Sequence, residues 1–213
     1  MLSYNKGLLF DNDGVLVDSM AGAINSWRIW GEKFSPGFEL LPSHHGQTAE
    51  SIARGNLKSG SYEEAFEYIL DLEVELSKDT VALEGAIELT TSLEPGTWTI
   101  VTSASPKLAD ARLKAAGIPV PKELVTSTDV TNGKPNPEPY LLGAKRLGFD
   151  ISECVVFEDA ASGIQAGLDA GAGLLVGVTE HAMDTKADLV VKSLKGISFQ
   201  NGELVIPDEI RLR

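Results

Sequence analysis

Short apolar runs that alternate with amphipathic stretches are the feature that most constrains the fold of this sequence. Helix signals between the runs include Ser105-Pro106 and Asn136-Pro137, each a capping side chain followed by proline at the first helical position. Buried parallel strands joined by helices produce such an alternation. The sequence therefore predicts an α/β fold with a doubly wound parallel sheet. The predicted strands are Gly7–Phe10, Trp98–Val101, Glu123–Val125, Cys154–Phe157, Gly173–Val176 and Asp188–Val191.

The interval from Ser19 to Ala82 departs from this alternation. It contains helical stretches at Ala21–Lys33, Thr48–Lys58 and Tyr62–Lys78 and no convincing strand. Because a long connection without structure of its own is uncommon, we expect a small helical domain inserted after the first strand. The predicted core is residues 1–18 and 83–213, and the predicted helical cap over it is residues 19–82. Further on, Asn201-Gly202 predicts a tight hairpin.

Charge and composition argue against several classes of protein. The net charge of -13 disfavours nucleic acid and anionic membranes as partners, because polyanions are repelled. No apolar run approaches the roughly 20 residues that cross a bilayer, and the N-terminus lacks a signal pattern. A cytoplasmic location is therefore expected, and a monomer is a separate prediction. The single cysteine, Cys154, excludes an intrachain disulfide and lies in an apolar run, which indicates a buried structural thiol.

Two aspartates, Asp11 and Asp13, follow the first predicted strand at alternate positions, before Gly14. Residues two apart at a strand end project to the same side, and open parallel sheets place their sites at the carboxyl ends of strands. Adjacent carboxylates repel unless a cation lies between them or one keeps its proton. With a metal present, one could attack phosphorus while the other transfers protons. A calcium-like acidic loop or a turn with capping aspartates is the alternative for this motif alone.

Three further groups lie at predicted strand ends or in turns. Glu158-Asp159 follow a strand and would complete a magnesium site, although Asp159 could instead cap the next helix. Lys134 would supply positive charge beside a phosphate, unless it is simply solvated. Thr102 and Ser103 offer hydroxyls for a phosphate oxygen or for ordinary turn hydrogen bonds.

In their chain order these groups resemble the four motifs of the haloacid dehalogenase superfamily. The motifs are Asp11-Asn12-Asp13-Gly14, Ser103 or else Thr102, Lys134, and Glu158-Asp159. The segments VTSAS, NGKPNPEPYLLGA and VVFEDAASGIQAGLDAGA are similar to its sugar-phosphatase subfamily, in particular to bacterial hexitol and 2-deoxyglucose-6-phosphate phosphatases. The helical insertion resembles the small cap of that subfamily, so that the resemblance covers essentially the whole chain.

The resemblance implies a role for each acidic residue. Asp11 would be the nucleophile that forms an aspartyl-phosphate. Asp13 would protonate the leaving sugar oxygen and then deprotonate the water that hydrolyses the intermediate. The Asp11 carboxylate, the Asp13 backbone carbonyl and Asp159 would bind Mg²⁺, with Glu158 nearby or bound through water.

The resemblance also implies a small phosphorylated sugar or polyol as substrate, with Ser103 and Lys134 holding the transferring phosphoryl group. The polar turn before Thr48 would help to select the sugar, although we expect His44 to be structural. Trp27 and Trp30 are expected to pack the helical insertion together. The predicted substrate-binding residues are His45, Gln47, Arg54, Thr102, Ser103, Ala104 and Lys134.

Two other functions compete with a phosphatase. A sugar phosphomutase of the β-phosphoglucomutase type keeps the equivalent of Asp13, but typically has a histidine where this chain reads Ala21-Gly22-Ala23. A phosphoaccepting signalling domain also has clustered acids, a hydroxyl residue and a lysine on a parallel sheet, but it would not need the helical insertion. The absence of the mutase histidine favours a phosphatase.

Overall fold

The computed structural model describes residues 6–41, 44 and 46–213, and a five-stranded parallel sheet lies at its centre. The prediction of a parallel α/β core is confirmed. In chain order the elements are β1 (Gly7–Phe10), β2 (Val17–Asp18), α1 (Met20–Phe34), α2 (Ala49–Asn56), α3 (Tyr62–Glu75), β3 (Val81–Ala82), α4 (Ala86–Ser92), β4 (Trp98–Ile100), α5 (Pro106–Ala116), α6 (Glu138–Leu147), β5 (Cys154–Glu158), α7 (Ala161–Ala170), β6 (Leu174–Val178), β7 (Leu189–Val191), β8 (Ser198–Gln200) and β9 (Glu203–Val205). The central sheet has the strand order β4-β1-β5-β6-β7, and β2-β3 and β8-β9 form two separate two-stranded sheets.

β1 is an interior strand between β4 and β5, and its side chains are all apolar or small and buried. Alternate residues of a strand face opposite sides, so Leu8 and Phe10 enter one hydrophobic core and Leu9 enters the other. Phe10 stacks on Phe157 of β5 with ring centroids 4.7 Å apart. Helices therefore cover both faces of the sheet, and the carboxyl ends of β1, β4 and β5 lie side by side.

The strand predicted at Glu123–Val125 is wrong: it is reduced to a single β-bridge between Val125 and Val101. Side chains bind the neighbouring carbonyl groups that would extend the ladder. Thr99 Oγ1 donates to the carbonyl of Glu123 (2.7 Å), and Arg146 Nη1 donates to that of Leu124. The pairing therefore stops after one residue.

The two proline-marked helix starts were predicted well. Ser105 is the N-cap of α5, with its hydroxyl accepting from the backbone N of Leu108. Asn136 Oδ1 accepts from the backbone N of Glu138 (2.9 Å), which is the expected capping bond, although α6 begins one residue later than predicted. The predicted C-terminal hairpin is formed by β8 and β9.

The helical insertion, residues 19–82, has a hydrophobic cluster of its own. Trp27 and Trp30 contact each other edge to face in this cluster, and Trp30 Nε1 donates to the carbonyl of Ala65 (2.8 Å), which confirms their packing role. The insertion meets the core through β2 and β3, which pair antiparallel. The exact division of the chain at residues 18 and 83 stays a prediction. Within the described ranges, no helix has the length and apolar character needed to span a membrane.

Candidate active site

The end of β1 places Asp11 and Asp13 at the carboxyl edge of the sheet. The backbone N of Asp11 donates to the carbonyl of Phe157 (2.9 Å), so the ladder between β1 and β5 continues through the first aspartate. Gly14 follows with a φ of 81°, and a Cβ there would come within 2.0 Å of Asp159 Oδ2. Only glycine allows the turn after β1 to approach the acidic end of β5 this closely.

Lys134 connects the ends of three strands. Its Nζ donates to Asp11 Oδ1 (2.7 Å), to Glu158 Oε1 (2.6 Å) and to the carbonyl of Val101 (2.8 Å). The residue is only 6% exposed. The structure thus brings the sequence-predicted lysine into direct contact with the predicted nucleophile, and excludes the alternative of a simply solvated lysine.

Glu158 uses both carboxylate oxygens to hold other groups in place. Oε1 accepts from Lys134 and from the hydroxyl of Tyr140 (2.8 Å), and Oε2 accepts from the backbone N of Asp159 and of Ala160. Four hydrogen bonds nearly fill the acceptor capacity of a carboxylate. Glu158 therefore fixes the position of Lys134 and the turn that carries Asp159.

Burial and mutual repulsion dominate the electrostatics of the site. Burial raises the pKa of Asp11 to about 7, although Lys134 opposes the shift. Burial, with the charges of Glu158 and Asp11, raises the pKa of Asp159 to about 9. Burial alone would lower the pKa of Lys134, but Asp11 and Glu158 outweigh it and the pKa of the lysine is raised. The site is thus short of positive charge for its carboxylates.

A divalent cation suits this arrangement. Asp11, Glu158 and Asp159 each offer a ligand atom within 4.8 Å of the others. Hard cations such as Mg²⁺ prefer carboxylate oxygens and retain water ligands, and a cation would relieve the repulsion that raises the pKa of Asp11 and Asp159. Because the oxygens of Glu158 are engaged elsewhere, Asp11 and Asp159 have the more available oxygens.

The residues after β4 differ in what their side chains contact. Ser103 Oγ donates to the carbonyl of Gly46 in the helical insertion (2.7 Å). Thr102 is buried, and its Oγ1 accepts from the backbone N of Ala104 (3.1 Å) within the same turn. Ser103 is the more exposed of the two residues, but its hydroxyl proton is engaged by Gly46 and would have to turn to reach a phosphate oxygen.

A cavity of about 810 Å³ lies between the core and the helical insertion. Its lining includes the predicted residues Gln47, Thr102, Ser103 and Ala104 together with Asp11, Asp13 and Asp159. These residues belong to the insertion and to the ends of three core strands, so both parts of the chain line the cavity.

Three residues before and within α2, considered above as possible contacts of the sugar, differ in how their predictions stand. His44 also lines the cavity, but its Nδ1 accepts from the backbone N of Leu41 (3.0 Å) and its ring stacks on Phe38, which agrees with a structural role. Arg54 does not line the cavity; it is exposed, pairs with Glu50 (3.0 Å) and lies over the ring of Tyr62. His45 lies outside the described residues.

The sequence interpretation missed Arg112 and Glu73. Arg112 Nη1 donates to Asp13 Oδ2 (3.0 Å), and Nη2 lies 3.7 Å from Glu73 Oε1. Asp13 also accepts from Ser19 Oγ through its other oxygen. A signal existed: Arg112 lies on the apolar face of α5 with Leu108, and Glu73 falls on the buried stripe of α3. A charged residue on an apolar helix face requires a partner.

Comparison with known proteins agrees with this geometry. The family model described as haloacid dehalogenase-like hydrolase matches residues 5–171. The chain belongs to this family of hydrolases. The match spans all four groups of the site, from Asp11 to Asp159, and it disfavours the signalling domain as an alternative.

The relatives of this haloacid dehalogenase-like hydrolase include named phosphatases. Hexitol phosphatase A of Escherichia coli is 38% identical over 94% of this chain and 98% of the relative. Glycerol-1-phosphate phosphohydrolase 2 of Saccharomyces cerevisiae is 31% identical over 89% of this chain and 82% of the relative. Among solved structures, β-phosphoglucomutase from Clostridium difficile has a TM-score of 0.73 and 27% identity, covering 89% of this chain and 92% of that one.

Proposed function

We propose that this chain is a magnesium-dependent phosphatase of small sugar or polyol phosphates that acts through an aspartyl-phosphate. The observation that carries the proposal is the contact of Lys134 with both Asp11 and Glu158, behind the part of the cavity wall that Asp11 and Asp159 line. This arrangement has an acid able to attack, a cation next to it and oxygen ligands for a metal. The similarity to a hexitol phosphatase supports a hydroxylated phosphate ester as the substrate.

The Asp11 carboxylate, the Asp13 backbone carbonyl and Asp159 would hold Mg²⁺, which when bound neutralises charge on the phosphoryl oxygens. Lys134 occupies Asp11 Oδ1, so Oδ2 is left to form the bond to phosphorus while the bond to the sugar oxygen breaks. Asp13 gives a proton to that leaving oxygen. It then takes a proton from the attacking water, whose oxygen bonds to phosphorus as the bond to Asp11 breaks. Lys134, whose three N–H groups donate to Asp11, Glu158 and the carbonyl of Val101, places its positive charge beside the reacting group. Ser103 would hold a phosphoryl oxygen once its hydroxyl turns away from the carbonyl of Gly46.

A phosphomutase is the competing function, because a β-phosphoglucomutase is among the similar structures. The start of α1 argues against it. A Cβ at Gly22 would come within 2.6 Å of the carbonyl oxygen of Leu76, and Ala23 lines the cavity with only a methyl group. These small residues supply no long polar side chain to shield the intermediate from water.

Turnover of a hexitol phosphate in heavy-oxygen water separates the two functions. We expect free inorganic phosphate that carries the label, detected by mass spectrometry, and no interconversion of β-glucose 1-phosphate and glucose 6-phosphate even with a bisphosphate primer. Efficient interconversion without release of phosphate would overturn the proposal. Trapping with beryllium or aluminium fluoride would not discriminate, since both enzymes form the same intermediate at Asp11.

A further inference from the structure

A buried ion pair that the phosphoryl chemistry does not use lies on the cavity wall next to Asp13. Arg112 of α5 in the core and Glu73 of α3 in the insertion are 6% and 8% exposed. Both line the cavity. Arg112 contacts Asp13 at 3.0 Å and approaches Glu73 at 3.7 Å. Asp13, Arg112 and Glu73 thus form a chain of charged groups that leads from the predicted proton donor toward the insertion.

This pair has unused hydrogen-bonding capacity. An arginine has five N–H donors, but the 3.7 Å approach to Glu73 is too long for a hydrogen bond. The Nε of Arg112 has no hydrogen-bond partner among the described residues. Burial raises the pKa of Glu73, an effect that Arg112 and a hydrogen bond from the Trp27 indole oppose. Since buried charges are costly unless they are fully hydrogen-bonded, a ligand that completes these bonds would be bound favourably.

The surroundings of the pair indicate what kind of ligand fits. The cavity wall contributed by α1 and α3 is otherwise largely apolar, with Ala23, Trp27, Phe66 and Leu70 among its residues. A polyol chain presents C–H groups to such a wall, while its hydroxyls donate to a carboxylate and accept from a guanidinium. A second anionic group on the substrate would instead be repelled by the carboxylates of Glu73 and Asp13.

We infer that Glu73 and Arg112 are specificity-determining residues that bind hydroxyl groups of the leaving sugar or polyol, directly beyond the oxygen that Asp13 protonates. The inference rests on the proposed phosphatase function. It attributes to these two residues the preference of the enzyme for a leaving group that carries hydroxyls over one that has none. A site built to pair hydroxyls discriminates strongly against analogues that lack them, because its own polar groups are then left unpaired.

The wild-type protein provides the first test. Sorbitol 6-phosphate and n-hexyl phosphate have chains of the same length, but only the first carries hydroxyls. We expect kcat/KM for sorbitol 6-phosphate to exceed that for n-hexyl phosphate by about 100-fold or more. Equal values would overturn the inference. No hydrolysis of these two esters or of p-nitrophenyl phosphate would instead refute the proposed function itself, so the two failures are distinguishable.

The second test uses Glu73→Gln with Glu67→Gln as a matched control, because Glu67 is exposed on the same helix. The readout is the ratio of kcat/KM for sorbitol 6-phosphate to kcat/KM for p-nitrophenyl phosphate, whose leaving group has no other hydroxyl. We expect Glu73→Gln to lower this ratio by about tenfold or more and Glu67→Gln to leave it unchanged. A folded Glu73→Gln protein with the wild-type ratio would refute the inference.

Discussion

Replacing Glu158 with glutamine is expected to destabilise the protein strongly, because the Glu158 carboxylate acts only as an acceptor. Oε1 accepts from Lys134 and Tyr140, and Oε2 accepts from the backbone N of Asp159 and Ala160. Glutamine has a single side-chain oxygen. In either orientation its NH₂ group would therefore face two donors that have lost their acceptor.

The magnitude follows from these contacts. Leaving a buried donor unsatisfied costs about 1–3 kcal/mol, and breaking a buried ion pair costs about 3–5 kcal/mol. Relief of the repulsion between Glu158 and Asp159 offsets part of this loss. We expect the free energy of unfolding to fall by about 3 kcal/mol. At about 2–4 °C per kcal/mol for a chain of this size, Tm would fall by about 6–12 °C.

Urea denaturation followed by far-UV circular dichroism, with calorimetry for Tm, measures this change. Glu153→Gln is the matched control, because Glu153 pairs with Lys6 at the surface just before β5. The free energy of unfolding of this control is expected to fall by less than about 1 kcal/mol. If the free energy of unfolding of Glu158→Gln fell by no more than that of the control, the carboxylate would not be an indispensable acceptor.

Three further predictions concern the nucleophile, the metal site and the thiol. Asp11→Asn should lower steady-state hydrolysis below about a thousandth of the wild-type rate with an unchanged circular dichroism spectrum; faster turnover would contradict covalent catalysis. Asp159→Ala should raise the Mg²⁺ concentration for half-maximal activity by about tenfold or more, whereas His45→Ala should alter sugar preference. Identical metal titrations of the two variants would contradict the assignment of metal binding to the core and sugar recognition to the insertion. Burial raises the pKa of Cys154 to about 12. Its neutral, buried thiol should therefore react with a disulfide reagent at pH 8 only after urea is added. Rapid reaction of the native protein would be evidence against a buried, neutral thiol.

The sequence predicted the catalytic end of the sheet because each of those residues adjoins an apolar strand or a marked turn. Asp11 follows Phe10, and Asp159 follows a run of buried residues, so the period of a strand and the rule for parallel sheets were sufficient to bring them together. The sequence predicted Lys134 only as positive charge beside a phosphate, and a solvated lysine was the alternative; its contact with Asp11 comes from the structure.

The cap-facing part of the site could not be derived in the same way. Arg112 and Glu73 are 39 positions apart on different helices, and helix periodicity identifies the buried face of each without saying which faces meet. The two-residue strands β2 and β3 carry no pattern long enough to recognise. Side chains that bind carbonyl groups ended the strand predicted near Val125, and such tertiary contacts override local propensity.

The pairing of β2 with β3 has a consequence for how this protein can change. Val17 lies opposite Ala82 and Asp18 opposite Val81, and paired strands run about 4.7–4.9 Å apart. The chain thus leaves the core and re-enters it at adjacent points. A segment closed in this way can be lengthened, shortened or exchanged for that of a relative with little added loop-closure entropy. Substrate range can therefore evolve, or be engineered by transplantation, while β1 and the residues that handle phosphate stay untouched.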